Sequence, residues 1–151
     1  MTYEKIIQAA KDNYIDVPND LLSKGNIVGI YKFFKVKDTE KHCFYIEKST
    51  NILLRLFGSN QGHIYMFLKG DNSKLVASKI AEYRKDDYTI QVEIKEIDYH
   101  DTSFSKAAHR LALAELQEIV HYQNLGQCEF QLPEGVGKYE YQFWENNYQM
   151  K

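Results

Sequence analysis

Five side chains carry the chemistry that this sequence advertises. Tyr31 is followed fourteen residues later by Tyr45, and then by Lys48, by Arg55 and, far downstream, by Glu115. Hydrolysis of a phosphodiester needs an activated water, neutralisation of charge on the pentavalent phosphorus and help for the departing oxygen. Tyr31 is the candidate general base. A free phenol titrates near pH 10, so nearby positive charge from Lys48, Lys32 or a metal-bound water would have to lower it. Arg55 offers a planar donor fork that suits phosphate oxygens. Tyr45 is placed to position the phosphate or the water. Glu115 is the candidate ligand of a single Mg²⁺ or Mn²⁺ ion, because magnesium retains much of its hydration and takes few protein carboxylates. Each group also has a plainer reading: core tyrosines with bonded hydroxyls, a surface arginine, and a structural carboxylate paired with an arginine such as Arg55.

The elements that would position these groups are legible in the pattern of residues. Tyr3, Ile6, Ile7, Ala10 and Tyr14 recur at helical spacing and predict a helix over about 3–13. Residues 26–36 and 41–47 are rich in β-branched and aromatic side chains and read as a hairpin across Lys37-Asp38-Thr39-Glu40. Ile27, Tyr31 and Phe33 fall on one face of its first strand and Val28, Ile30 and Phe34 on the other, so that strand is expected to be central and covered on both sides. A short helix follows from Thr50 to Gly58, capped by Ser49 or Thr50, and Ser73 is expected to cap another over 74–84. Residues 88–97 alternate strictly, with Tyr88, Ile90, Val92 and Ile94 together, as a third strand. A long helix runs from about Ser103 to Gln123. On its wheel Glu115 is centred among Ala108, Leu111, Ile119 and Tyr122, all within about 40°. A carboxylate there must be paired, hydrogen-bonded or on a metal. The fold class expected is α/β (α+β): a small, mostly antiparallel three-stranded sheet flanked by helices.

With 151 residues, 44% apolar and 26% charged, the chain reads as one globular domain, 1–151. No apolar run reaches the roughly 18 residues of a membrane span, and the N-terminal residues lack the order of a signal peptide. Cys43 and Cys128 lie far apart in sequence with neither metal-type spacing nor a disulfide framework, Cys43 reads as a small buried hydrophobe rather than a reactive thiol, and a reduced, cytoplasmic setting is expected. The net charge of −2 hides a strong asymmetry. Residues 24–69 hold eight Lys or Arg against three Asp or Glu, a net of +5, whereas residues 70–151 carry nine against fourteen, a net of −5. The positive excess coincides with the Tyr-Lys-Arg spacing, and Lys32, Lys35, Lys48 and Arg55 are the candidate contacts to nucleic acid.

This spacing resembles the GIY-YIG nuclease superfamily. The first signature stands as Gly29-Ile30-Tyr31 and the second as Tyr45-Ile46-Glu47. Lys48 and Arg55 stand at the lysine and arginine positions, and residues 115–127 resemble the helix that carries the family's metal carboxylate, ending on Gln127 where asparagine is usual. The resemblance spans about residues 26–127 and implies an inserted segment at about 58–87 and a C-terminal extension at about 128–151. It implies a DNA endonuclease with one divalent ion on Glu115, Tyr31 as base and Arg55 at the transition state, assisted by Lys48 and Tyr45. Two positions depart from the pattern. Glu47 replaces the glycine of the second motif, and Ser59 stands four residues past Arg55, where many members carry histidine or tyrosine. The alternative is therefore a catalytically inactive descendant that binds nucleic acid or protein, with the acidic 70–151 half and the aromatic tail (Phe130, Tyr139, Tyr141, Phe143, Trp144, Tyr148) as its surface.

Overall fold

A computed structural model describes residues 2–100 and 103–131. The elements run α1 (Tyr3–Asp12), β1 (Ile15–Asp16), β2 (Gly29–Lys37), β3 (Glu40–Ser49), α2 (Ile52–Phe57), α3 (His63–Lys69), α4 (Leu75–Lys85), β4 (Thr89–Glu96) and α5 (Phe104–Asn124). No described helix is long and apolar enough to cross a membrane. Of the aromatic tail, only Phe130 falls among the described residues.

The sheet has four strands rather than the expected three, in the order β1-β4-β2-β3. β2 pairs antiparallel with β3, as the expected hairpin requires, and antiparallel with β4, in keeping with the mostly antiparallel sheet expected. The fourth strand is β1, which runs parallel to β4 with Ile15 opposite Ile90. Two residues are too few for an alternating pattern to register in sequence. Tyr14 turns the chain into it from a left-handed backbone position, φ 62°, and its carbonyl accepts from the Ile90 N–H at 3.0 Å.

Both faces of β2 are covered. Tyr31 and Phe33, with Ile90 and Val92 of β4, pack against Ile6 and Ala10 of α1, Leu53, Leu56 and Phe57 of α2, Ile64 of α3, and Val76 and Ile80 of α4. On the opposite face, Ile30 and Phe34 join Cys43 and Ile46 of β3 under Leu111, Ala114 and Ile119 of α5. A register shift between Phe33 and Phe34 lets Phe44 turn toward the α2–α4 side while Cys43 stays under α5. Tyr45 joins Phe44 on that side; elsewhere along β2 and β3 neighbouring residues look into different layers, and this alternation decides what can meet at the site.

The caps differ from expectation. Asn51, not Ser49 or Thr50, caps α2, its side-chain oxygen accepting from Leu54 N–H at 3.1 Å. Ser49 Oγ instead accepts from Asn51 N–H at 2.9 Å and holds that cap in place. Ser73 does not cap α4; its hydroxyl is bound to Asp71 at 2.6 Å. Ser and Asp both compete for local backbone donors, and sequence offers no way to choose between neighbouring candidates.

Gly29 opens the first motif because β4 leaves no space for a side chain. A Cβ there would press on the carbonyl oxygen of Lys95 and lie 3.0 Å from Glu96 Cα. Both are backbone and cannot swing aside. Gly29→Ala is expected to lower stability by about 2 kcal/mol, read from urea unfolding, by prying β2 from β4. A neutral result would show that the strands slide freely at this point.

Candidate functional site

Tyr31, Tyr45 and Arg55 do come together, and a residue outside the proposed set lies between them. Glu47 projects from β3 on the same face as Tyr45, two residues away, and directly across the ladder from Tyr31. The Tyr31 hydroxyl donates to Glu47 Oε1 and the Tyr45 hydroxyl donates to Oε2 at 2.5 Å. Arg55, on α2, donates from Nε to Oε1 at 2.9 Å, and its Nη2 lies 2.7 Å from the same oxygen. Its Nη1 reaches Gln61 Oε1 at 3.5 Å.

His63 completes the cluster. Its Nε2 is 2.8 Å from the Tyr31 hydroxyl and 3.9 Å from Glu47 Oε1. Tyr31 has one proton and gives it to the carboxylate, so the imidazole supplies the other hydrogen bond by donating from Nε2–H to the phenol oxygen. His63 reaches this position because the loop after α2 closes tightly. Gly62 N–H donates to Gly58 O at 2.9 Å, and a Cβ on Gly62 would collide with Gly58 backbone. The loop returns the chain so that α3 begins beside the site. Ser59, at the position where many members of the resembled family carry histidine or tyrosine, is exposed. The only sequence signal for His63 is a histidine opening an otherwise apolar stretch, HIYMFLK.

The electrostatics follow from burial around one carboxylate. Glu47 loses hydration on burial, but the neighbouring His63 ring and the bonds it accepts from Tyr31, Tyr45 and Arg55 outweigh that loss and bring its pKa down to about 2. Tyr31 is wholly buried, and desolvation together with the Glu47 charge raises its phenol well above 10. Burial lowers His63, keeping the ring neutral near pH 7. The base role expected of Tyr31 needs a lowered phenol, and the surroundings push it the other way. The two lysines expected to lower it, Lys32 and Lys48, lie across the sheet against α5.

Lys48 follows Glu47 in β3 and faces the α5 layer. Its backbone N–H donates to Glu115 Oε2 at 2.6 Å, and its ammonium lies 3.3 Å from Oε1. Glu115 is fully buried, as its place on the helix wheel requires. It meets β3 beside Ile46 and Leu111, in the layer opposite Tyr31 and Phe33. The five proposed residues thus form two groups: Tyr31, Tyr45 and Arg55 with Glu47 and His63 on one side, Lys48 with Glu115 on the other. The helix-end residue Gln127 belongs to the second group, its Oε1 accepting from Cys43 N–H at 2.7 Å. Gln131 Oε1 likewise accepts from Ile46 N–H at 2.9 Å. Glu115, Gln127 and Gln131 thus satisfy three amides of edge strand β3, those of Lys48, Cys43 and Ile46, a task that another strand would otherwise perform.

The donor set does not fit a divalent ion in this arrangement. Each oxygen of Glu115 already accepts a hydrogen bond, one of them from an ammonium, and Glu47 is bound to a guanidinium and two phenols. Among the described residues, no three His, Cys, Asp or Glu side chains gather where a metal could sit.

The basic excess of the hairpin is also largely spent within the fold. Lys32 pairs with Glu118 at 3.5 Å, Lys41 with Glu93 at 2.5 Å, and Lys24 with Glu96 at 3.6 Å, in addition to the Lys48–Glu115 and Arg55–Glu47 pairs. The acids of β4 and α5 come from the half of the sequence with net negative charge. Lys35 and Lys37 lie over tyrosine rings, as Lys32 also lies over Tyr122: Lys35 is 4.6 Å from the Tyr83 ring centre and Lys37 5.1 Å from that of Tyr88, and the Lys37 ammonium also donates to Asp86 O at 2.8 Å.

Comparison of the chain with protein-family models, with curated proteins and with solved structures gives no match.

Proposed function

We propose that this chain is a non-hydrolytic relative of the GIY-YIG nucleases, a module that acts by binding nucleic acid rather than by cutting it. The observation that carries this reading is the Glu47 carboxylate seated among Tyr31, Tyr45 and Arg55. Two phenol donors and a guanidinium fork form a receptor for an oxyanion, and here the oxyanion belongs to the chain itself. A phosphate arriving at Arg55 would have to displace a carboxylate held by several charge-assisted bonds, each among the stronger hydrogen bonds in proteins. Like-charge repulsion between Glu47 and the phosphate opposes that exchange. What remains for a nucleic acid is a small surface around Lys35 and Lys37.

Affinity on that surface would be modest and electrostatic. With two or three phosphates neutralised, the logarithm of the binding constant should fall with that of the salt concentration at a slope of about −2 to −3. The experiment is to incubate supercoiled plasmid with the protein, with and without Mg²⁺ or Mn²⁺, and to measure retention of labelled DNA at rising salt. Intact plasmid with salt-sensitive retention, weakened by charge reversal at Lys35 and Lys37, supports the reading. Retention that ignores those reversals overturns the assigned surface, and no DNA retention at low salt overturns the nucleic-acid assignment in favour of a protein partner.

One observation favours the endonuclease as a second reading. Tyr31, Tyr45, Arg55 and His63 share one face, and they are the phenols, guanidinium and imidazole that such chemistry uses. Metal-dependent nicking that disappears in Arg55→Ala and Glu115→Ala would establish this reading instead.

A further inference from the structure

Cys43 and Cys128, 85 residues apart in sequence, are both fully buried and face each other with their sulfurs 3.5 Å apart. The backbone brings them together: Cys128 N–H donates to Cys43 O at 3.0 Å. Cys128 sits at φ 53°, a left-handed position that turns the chain back toward β3 just after α5. No charged or polar side chain separates the two thiols; around them lie Ile30, Phe34, Ile46 and Leu111. Closing from 3.5 Å to the roughly 2 Å of a disulfide is within reach of side-chain rotation, given a backbone hydrogen bond between the two residues.

We propose that Cys43 and Cys128 form a reversible intramolecular disulfide that clamps the segment following α5 onto the outer edge of β3. The same segment carries Gln127 and Gln131, whose side chains cap the β3 amides, and Gln131 Nε2 also donates to Ile46 O. In the reduced chain this cover is held by non-covalent contacts: these hydrogen bonds, the approach of Glu129 to His42 at 3.7 Å, Lys79 over the Phe130 ring at 4.1 Å, and the burial of Cys128. In the oxidised chain it is covalently fixed, and the edge is closed to any incoming strand.

The oxidant is a small-molecule disulfide of the glutathione type. One thiol loses its proton, and its sulfur attacks the reagent, expelling one small thiol and leaving a mixed disulfide. The second cysteine sulfur then displaces the other small thiol. Two protein thiols are thereby oxidised by two electrons, and one reagent disulfide is reduced to two thiols. The hydrogen bond to Cys128 and burial hold the Cys43 thiol above its ordinary range, so attack from the closed state is slow. The reaction proceeds through lifting of the 127–131 segment, and the strength of the glutamine caps sets its rate.

The test incubates the native full chain with oxidised glutathione and follows it by intact mass after thiol alkylation in denaturant. The expected product is monomeric, lacks two hydrogens, resists alkylation and reverts with dithiothreitol. Its thermal midpoint should lie roughly 10 °C above that of the reduced chain, because a long loop is closed in the unfolded state. Gln131→Ala, which weakens the cover, should speed the reaction several-fold, while Cys43→Ala and Cys128→Ala should each abolish it. A stable glutathione adduct on one cysteine, covalent dimers as the main product, or two alkylatable thiols after prolonged exposure would each overturn the proposal. None of these outcomes depends on whether the chain binds nucleic acid.

Discussion

Glu47→Ala is expected to destabilise the protein by about 3–5 kcal/mol, the cost typical of removing one partner from a buried, hydrogen-bonded ion pair. The side chain is 12% exposed, and its loss strands a guanidinium and two phenols that point at the vacated space. Equilibrium unfolding in urea measures the loss, and Glu47→Gln serves as the companion. Glutamine keeps an acceptor and the volume but not the charge, so it should recover part of the stability, roughly 1–2 kcal/mol. A loss under about 1 kcal/mol in the alanine variant would mean that water or a rearranged Arg55 replaces the carboxylate, and the picture of an internally filled oxyanion site would fall.

The same carboxylate fixes the acid limb of the stability profile. Its pKa of about 2 when folded lies below the ordinary 4.5, so the folded state binds its proton less readily than the unfolded chain does. The contribution is therefore complete above about pH 4.5 and is lost as the pH falls toward 2, amounting to about 3 kcal/mol. His63 acts in the same direction. Its lowered pKa means that stability begins to fall once the pH drops below the ordinary histidine value of 6.5. Unfolding midpoints measured from pH 7 to pH 3 should decline, and the Glu47→Gln variant should decline less below pH 4.5.

How much of this could be read from the sequence depends on the range of the interaction concerned. The hairpin, β4 and α5 are legible because alternation over eight or more residues, or a stripe along a long helix, leaves a pattern that burial alone produces. β1 leaves none, being two residues that pair only because Tyr14 turns the chain beside β4. α3 is hidden for a related reason, since the apolar run 64–68 is equally compatible with a strand, and only the Gly58–Gly62 loop decides. The meeting of Tyr31, Tyr45 and Arg55 is foreseeable from their spacing in the hairpin and the helix after it. His63 is not, because its position depends on a loop conformation. Glu47 is visible as a departure from the motif, but its consequence is visible only in three dimensions. Adjacent residues of a strand face opposite layers, so Glu47 goes to the tyrosines and Lys48 goes to α5. The helix wheel correctly makes Glu115 a buried carboxylate in need of a partner, yet it says nothing about which side of the sheet α5 covers. That side is set by Ile30, Phe34 and Ile46.

Glu115→Ala is expected to cost about 3 kcal/mol, and the form of the loss identifies what the residue does. Alanine removes the acceptor for Lys48 N–H on a solvent-shielded strand edge and leaves an amide and an ammonium without that partner. Glu115→Gln keeps an oxygen for the amide and gives up only the charge. Lys48 is 31% exposed, so its ammonium can turn to water, and the glutamine variant should lose only about 1 kcal/mol. A metal ligand would behave differently. Were a divalent ion bound at Glu115, raising Mg²⁺ or Mn²⁺ would lift the thermal midpoint by mass action, about 2.7 kcal/mol of stability at a hundredfold excess over the dissociation constant. Glutamine would erase that lift. An edge-capping carboxylate predicts superimposable melts at all metal concentrations, together with the graded loss from glutamine to alanine. A metal-dependent rise in the native chain that vanishes in Glu115→Gln would mean that Lys48 yields its place to the ion. In that case the two residue groups separated by the sheet would have to be reconsidered as one site.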